Sequence, residues 1–477
     1  MATQTMSPIV VPSAVIGHSA SSVLGVSKQE SALPSVAVVE RTPRLAASSQ
    51  DDGDESVPMP PAFGWYLVAV TFLNMANYTV VLPTAHAYAA SLGASGWFAG
   101  LVIASSLAPG VATVPLGPIL FRRSYKPPLL ALTVCFTLGN CLYGLGQLAR
   151  SRWLLVSGAV LRGALWGCCG RALNQDAVFL CCGKRVRSSW TALLGNATFL
   201  GIGMGPVFAA GLAQISFSIG LLDVDEFTNP GWFFCVVWML MFVVLLFIEE
   251  PQRHFAQDTT SQARTLGTSQ KVVLDSKIKW CLLVICTSSL SVAAWESSAA
   301  IVTQLYFGWS VSTSSLFMGA VFLVAALSGE GIRVLLRSFS VLEADVVVSG
   351  VAVAMGGSAL LYWYLPSTAI GALVTANEFA YAVGSCLVLC AANSARNYST
   401  TIAMRAASSQ SSRAKDLTNI CQAGIMMLGR SAGALAGMGV ATMPGGAEGG
   451  AGLVTAASAL ALIWLMAPQL LSDLRQA

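Results

Sequence analysis

From residue 63 onward the chain does not alternate apolar and polar positions at helix or strand period; it runs apolar for roughly 20 residues at a time, broken by short polar segments. Runs of that length cross a bilayer as helices, which satisfy their own backbone hydrogen bonds in hydrocarbon. The pattern predicts twelve spans, at 63–85, 97–120, 128–149, 153–182, 189–214, 231–249, 278–303, 312–335, 345–365, 369–392, 417–442 and 449–470. The fourth is overlong, and the pattern predicts that it emerges into water near its end. Residues 1–60, rich in Ser, Ala, Val and Pro with an acidic patch at Asp51, Asp52, Asp54 and Glu55, carry no apolar core and read as a disordered tail. Their Ser-rich, acid-poor first 50 residues also fit an organellar transit peptide.

Composition agrees with the pattern: of 477 residues 55% are hydrophobic and 10% charged, at a mean hydropathy of +0.68. That excludes an ordinary soluble chain. Basic residues near the helix ends, from Arg122 to Lys415, fall in the even loops, and the odd loops hold only Arg150 and Arg152. By the positive-inside rule both termini and the 250–277 linker are cytoplasmic, with Asp223, Asp225 and Glu226 on the other side. The net charge of +4 reflects this topology and gives no reason to expect nucleic acid.

An internal repeat divides the body. Residues 77–100 align without a gap to 296–319, matching Thr84 with Thr303, Ser91 with Ser310, Ser95 with Ser314, Phe98 with Phe317 and Gly100 with Gly319. Both segments lie at the first junction of a six-helix half in the same orientation. Two parallel six-helix halves, 61–249 and 278–477, around a midplane site form the architecture of the major facilitator superfamily.

Four stretches narrow the resemblance: VVLPTAHAYAASLGA (80–94), RRSYKPPLLALTVCFTLGNCLYGLG (122–146), Arg162 to Pro206 with Arg171, Ala172, Asn174 and Gly205 in place, and NPGWFFCVVWMLMFVVLLFIEEP (229–251). In these the chain resembles the vacuolar phosphate transporters that carry an SPX domain ahead of a facilitator body. The resemblance implies a twelve-helix carrier of inorganic phosphate or a similar anion in a vacuolar-type membrane. Two positions depart: Gln175 and Asp176 stand where the family has paired arginines, and a 60-residue tail leaves no room for an SPX domain. Lysosomal chloride-channel relatives share part of the pattern, including an acidic residue at Glu296. An anion channel, a proton-coupled organic solute or drug antiporter, and a non-transporting receptor or scaffold are therefore the alternatives.

Charges inside apolar spans mark the candidate site, since a charge at the bilayer centre costs at least ~2.5 kcal/mol. Arg162 lies roughly 13 Å into the fourth span at ~1.5 Å per residue, at mid-depth, and Arg171 lies near the cytoplasmic mouth. Arg430 is the second mid-membrane cation. Two guanidinium groups from opposite halves suit a tetrahedral oxyanion, whose oxygens match their planar fork; each could instead form a permanent interhelical ion pair. Arg162, Arg430, Asn77 and Asn174 are the candidate substrate-binding residues. Glu296 and Glu378, carboxylates deep in the apolar body, are the proton-coupling candidates. Arg171, Asp176, Gly201, Gly205 and Pro206 have gate or structural roles, the glycines and proline permitting close approach and bending of the fifth helix. Glu330 and Arg333 read as a surface pair, and His86 as the one histidine near the pathway. The twelve cysteines read as small apolar residues. No phosphate loop, nucleophile elbow or zinc spacing occurs, so neither an enzyme nor a cofactor or metal is expected. The expected partners are a small anion, protons and the bilayer around a monomer.

Overall fold

The computed structural model describes residues 59–441 apart from 122–123, 171–172, 175–176, 179–180, 220–221, 251–274, 340–342 and 363–373. The predicted tail, most of the linker and the twelfth span lie outside the described residues. The body is helical throughout: α1 Pro61–Thr79, α2 Gly96–Ser105, α3 Lys126–Leu145, α4 Arg152–Cys169, α5 Lys184–Leu212, α6 Asn229–Phe247, α7 Ser276–Ile301, α8 Val311–Phe339, α9 Glu343–Tyr362, α10 Val374–Gln410 and α11 Ser412–Ala441. Among the described residues, seven helical stretches are long and apolar enough to cross a membrane.

Proline shapes several of these elements. It occupies the first turn of α1, α3 and α6, where a missing N–H leaves no helical bond unmade. Beyond α2, Pro109, Pro115 and Pro118 split the second span into short helical pieces, Ala108–Thr113, Val114–Leu116 and Gly117–Leu120. Between α5 and α6 stands a small antiparallel hairpin that the apolar pattern does not predict, Phe217–Ile219 paired with Leu222–Val224.

Several predicted boundaries move. The fourth span does not emerge into water: α4 ends at Gly170, and Leu173, Ala177, Val178, Cys181 and Cys182 beyond it are buried in the core. The tenth does not stop at 392; α10 runs on to Gln410, because Ala391, Ala395, Tyr398 and Ile402 continue a helical stripe that packs with Val284 of α7 and Val347 and Val351 of α9. Arg396 and Arg405, expected in a loop, therefore stand on that helix, and Arg405 pairs with Glu343 at 3.0 Å. At 37 residues α10 is about 55 Å long, well beyond the ~30 Å hydrocarbon layer. The eleventh begins at Ser412, five residues before the predicted start at 417.

Helices pack by neighbour within each half, α1 on α5 and α3 on α4 and α6, then α7 on α10 and α11, and α9 on α10. The halves meet along α2 with α11 and α5 with α8. The repeat is visible at these crossings. A Cβ on Gly100 of α2 would stand 2.7 Å from Met438 Cβ and 3.0 Å from the Ala434 carbonyl of α11; one on Gly319 of α8 would stand 3.0 Å from the Gly203 carbonyl of α5. Small residues let backbones approach where lipid offers no hydrophobic drive between helices. Outward, α6 presents Met239, Leu240, Val243, Val244 and Phe247, while Trp97 and Trp153 stand exposed at the ends of α2 and α4, as interfacial aromatics do. The ends carrying Lys126, Lys277, Arg405 and Lys415 are called the basic end below.

Gly100→Ala forces a methyl into the α2–α11 crossing at a cost of roughly 1–3 kcal/mol. Gly211, with open space around its would-be Cβ, supplies the control. The thermal midpoint of the detergent-purified protein is expected to fall for Gly100→Ala and to hold or rise for Gly211→Ala. Equal midpoints would mean that the crossing has room.

Candidate functional site

Between the halves lies a cavity of about 470 Å³. Its lining runs from Asn77 and Tyr78 on α1, Arg162 on α4 and Arg430 on α11, at mid-bundle, to Thr191 on α5, Arg396 and Thr400 on α10 and Gln422 on α11, nearer the basic end. At the other end hydrogen bonds join the halves instead. Gln304 Nε2 donates to the Pro83 carbonyl at 2.9 Å, and Gln214 Nε2 to Ser312 Oγ at 2.8 Å. The bundle is thus closed at the end away from the basic loops, and its cavity reaches toward them.

Arg162 is 5% exposed, and its guanidinium is held in a distinct setting. Nη1 donates to Asn140 Oδ1 at 3.2 Å. The group lies over the Tyr143 ring, 5.3 Å from its centroid. Nε has no partner. Asn140 and Tyr143 come from one face of α3, three residues apart, and α3 meets α4 closely because a Cβ on Gly139 would touch both Arg162 and the Gly158 carbonyl. No carboxylate pairs with Arg162 among the described residues. Its positive charge is held by an amide oxygen and a ring face, and faces the cavity.

Arg430 is treated differently. Its Nη2 reaches both carboxylate oxygens of Glu296, at 2.6 and 2.5 Å, with Glu296 1% exposed. Tyr78 closes the group: its hydroxyl donates to Glu296 Oε2 at 3.0 Å, and its ring lies under the Arg430 guanidinium at 4.9 Å. One nitrogen serves both oxygens, so this is not the paired fork that arginine can make, and Nε of Arg430 stays unpartnered. The open two-arginine clamp expected from sequence is therefore absent from this state, because Glu296 occupies one of the arginines.

The other candidates divide. Asn77 lines the cavity at 1% exposure, with neither Nδ2 nor Oδ1 hydrogen-bonded; an unmet buried amide costs about 1–3 kcal/mol. Asn174 also lines the cavity, its Nδ2 donating to Thr71 Oγ1 at 2.9 Å. Glu378 is not in the deep body. It sits five residues into α10 at the end away from the basic loops, accepting from Trp309 Nε1 at 3.2 Å, and is not part of the cavity. Gly201 and Gly205 of α5 face α1, where a Cβ on either would strike the backbone at Phe72 or Ala76, and Pro206 stands inside α5. Arg171 and Asp176 lie outside the described residues, as do the side chains of Glu330 and Arg333. His86 is half-buried and does not line the cavity.

Sequence reasoning gave no role to Tyr78, Asn140, Tyr143 or Gln304. A signal existed for two of them, since Asn140 and Tyr143 lie in the quoted 122–146 stretch at a spacing that puts them on one helix face. Tyr78 and Gln304 carry no such mark.

Comparison with known proteins agrees with the fold. An SPX domain-containing membrane protein of Oryza sativa subsp. indica is 25% identical over 365 residues, covering 65% of this chain and 51% of that protein. Another, of Arabidopsis thaliana, is 33% identical over 207 residues, covering 42% and 28%. The chain thus spans about half the length, or less, of these curated relatives. Among solved structures, a bacterial homolog to the human lysosomal transporter Spinster, inward-facing and occupied, matches with a TM-score of 0.63 at 15% identity, covering 88% of this chain and 97% of that one. A D-xylose-proton symporter matches at 0.65 and 13% identity, covering 86% and 97%. At such identities these likenesses concern the fold. The model of the Major Facilitator Superfamily matches residues 67–429, most of the chain, and with the paired halves and the cavity between them it shows that the chain belongs to that superfamily.

Proposed function

We propose that the chain is a secondary transporter that carries a small oxyanion, inorganic phosphate first among them, by alternating access. The observation that carries this reading is Arg162, a cation buried at mid-bundle beside the cavity with no carboxylate partner among the described residues. A buried charge without a counter-charge is expensive. A bound anion removes that expense, and the unpartnered Nε beside an engaged Nη1 leaves the group donors to offer it. The resemblance to vacuolar phosphate transporters supports phosphate and a vacuolar-type membrane, with the basic end in the cytoplasm.

Coupling to protons follows from the second cluster. While Glu296 is ionised it neutralises Arg430. Once protonated, it releases that guanidinium toward the cavity, where a second positive group strengthens the hold on an anion. A proton and a monovalent anion then occupy the site together, and the charged groups at mid-bundle with their load sum to one positive charge in the empty and in the doubly loaded state alike. A carrier that moves only in those two states couples the two fluxes.

Three outcomes are expected. In proteoliposomes, Arg162→Gln abolishes saturable phosphate counterflow while the purified protein stays monodisperse; counterflow at the wild-type rate would remove Arg162 from the site. Glu296→Gln mimics the protonated carboxyl, so exchange persists but net uptake no longer follows an imposed pH gradient. An unchanged gradient response would exclude Glu296 as the coupling group. For topology, cysteines introduced singly at residue 260 and at Ala477 in a cysteine-free background are expected to react from the cytoplasmic side, and one at Asp225 only from the opposite side. The reverse pattern would invert the assigned direction of the cavity.

A further inference from the structure

Among the described residues lining the cavity, Asn77 is a fully buried amide whose hydrogen-bonding capacity is unused. Asn77 is 1% exposed, lines the cavity, and has partners for neither Nδ2 nor Oδ1, so exchanging its oxygen and nitrogen changes nothing. Its isolation has a cause in the fold. In the C-terminal half the repeat-equivalent position is Glu296, and α11 supplies Arg430 to meet it. In the N-terminal half α5 meets α1 through Gly201 and Gly205, whose close contacts are with backbone, Met75 and Thr79, and no described residue hydrogen-bonds the Asn77 amide. The two halves therefore place a neutralised carboxylate and an empty amide at matching positions.

Resting on the carrier reading, we propose that Asn77 is the specificity residue of the anion site and selects an oxyanion that bears its own hydroxyl. An amide offers donors and an acceptor at once. Arg162 supplies only donors, which chloride, sulfate and phosphate all satisfy equally. Asn77 Oδ1 requires a donor from the ligand, and at neutral pH inorganic phosphate and arsenate each keep at least one hydroxyl on the central atom, while sulfate and chloride keep none. A ligand without that hydroxyl leaves a buried acceptor unmet, and sites of that kind reject the deficient analogue strongly. Charge fixes that an anion binds; the amide fixes which anion.

Phosphate counterflow in proteoliposomes made with the full chain, competed by arsenate, sulfate or chloride, tests the proposal. Wild-type protein is expected to be inhibited by arsenate and not by equal sulfate or chloride. Asn77→Leu, close in volume but without donor or acceptor, is expected to narrow the arsenate-over-sulfate preference by about tenfold or more, the factor one buried hydrogen bond commands. Asn77→Thr, which keeps a hydroxyl that can accept, is expected to retain part of the preference. Should Asn77→Leu not fold, Asn77→Thr together with ligand-dependent thermal stabilisation of the wild type carries the test: phosphate and arsenate are expected to raise the midpoint and sulfate not to. Wild-type preference in either substituted protein, or equal stabilisation by sulfate, overturns the role of Asn77 and leaves the carrier reading standing. Wild-type protein that moves no oxyanion at all overturns both. A glycerol 3-phosphate arm tells a free phosphate from a phosphate ester as the source of the same group.

Discussion

Charge compensation in a medium without water governs the centre of this bundle. Two arginines and one glutamate lie buried at mid-bundle among helices whose other buried residues there are small, apolar or uncharged polar. An ion pair and a tyrosine settle Glu296 and Arg430. Arg162 has only an amide oxygen and an aromatic face. At mid-bundle the sum leaves one positive charge beside the cavity, and the rest of the structure can be read as arrangements for holding it there. Gly139 and Gly158 bring α3 close enough for Asn140 and Tyr143 to reach it, and hydrogen bonds from Gln304 and Gln214 shut the bundle beyond it. A cationic site closed on one side and lined toward the other is half of an alternating-access cycle.

The pseudo-repeat explains why the centre is asymmetric. Gly100 and Gly319 keep the same packing duty in both halves, at the two seams where the halves meet. Asn77 and Glu296 share a position but not a chemistry. Duplicated architecture thus supplies matching halves, and divergence at one pair of positions supplies a carboxylate on one side and a neutral amide on the other. Tyr78, next to Asn77 on α1, ties the two together by touching both members of the opposite half's ion pair.

Much of this was legible in the sequence, for physical reasons that also mark where legibility stopped. Apolar runs reported the helices because hydrocarbon tolerates little else, and the depth of Arg162 followed from rise per residue. Run length failed where burial is inside protein and not in lipid. The 393–410 segment is rich in Ser, Thr, Asn and Arg, so it reads as a loop, yet its alanines and Ile402 carry a helical stripe against α7 and α9. The end of the fourth span, expected to emerge into water, is buried at Leu173, Ala177, Val178, Cys181 and Cys182. Glu378 looked deep because the tenth span was placed too early. Pairing was the least accessible feature: Glu296 and Arg430 are 134 residues apart, and no periodicity connects them. Both had been singled out as charges in apolar surroundings, but which arginine takes the glutamate and which keeps its charge is decided by packing.

That division of roles is most directly tested by locating a bound oxyanion. A structure of the purified full chain with arsenate, whose heavy atom identifies its density, is expected to show the anion in the cavity within hydrogen-bonding distance of the Arg162 guanidinium. Arsenate density absent from the cavity at saturating concentration, or Arg162 turned onto a carboxylate, would contradict the account.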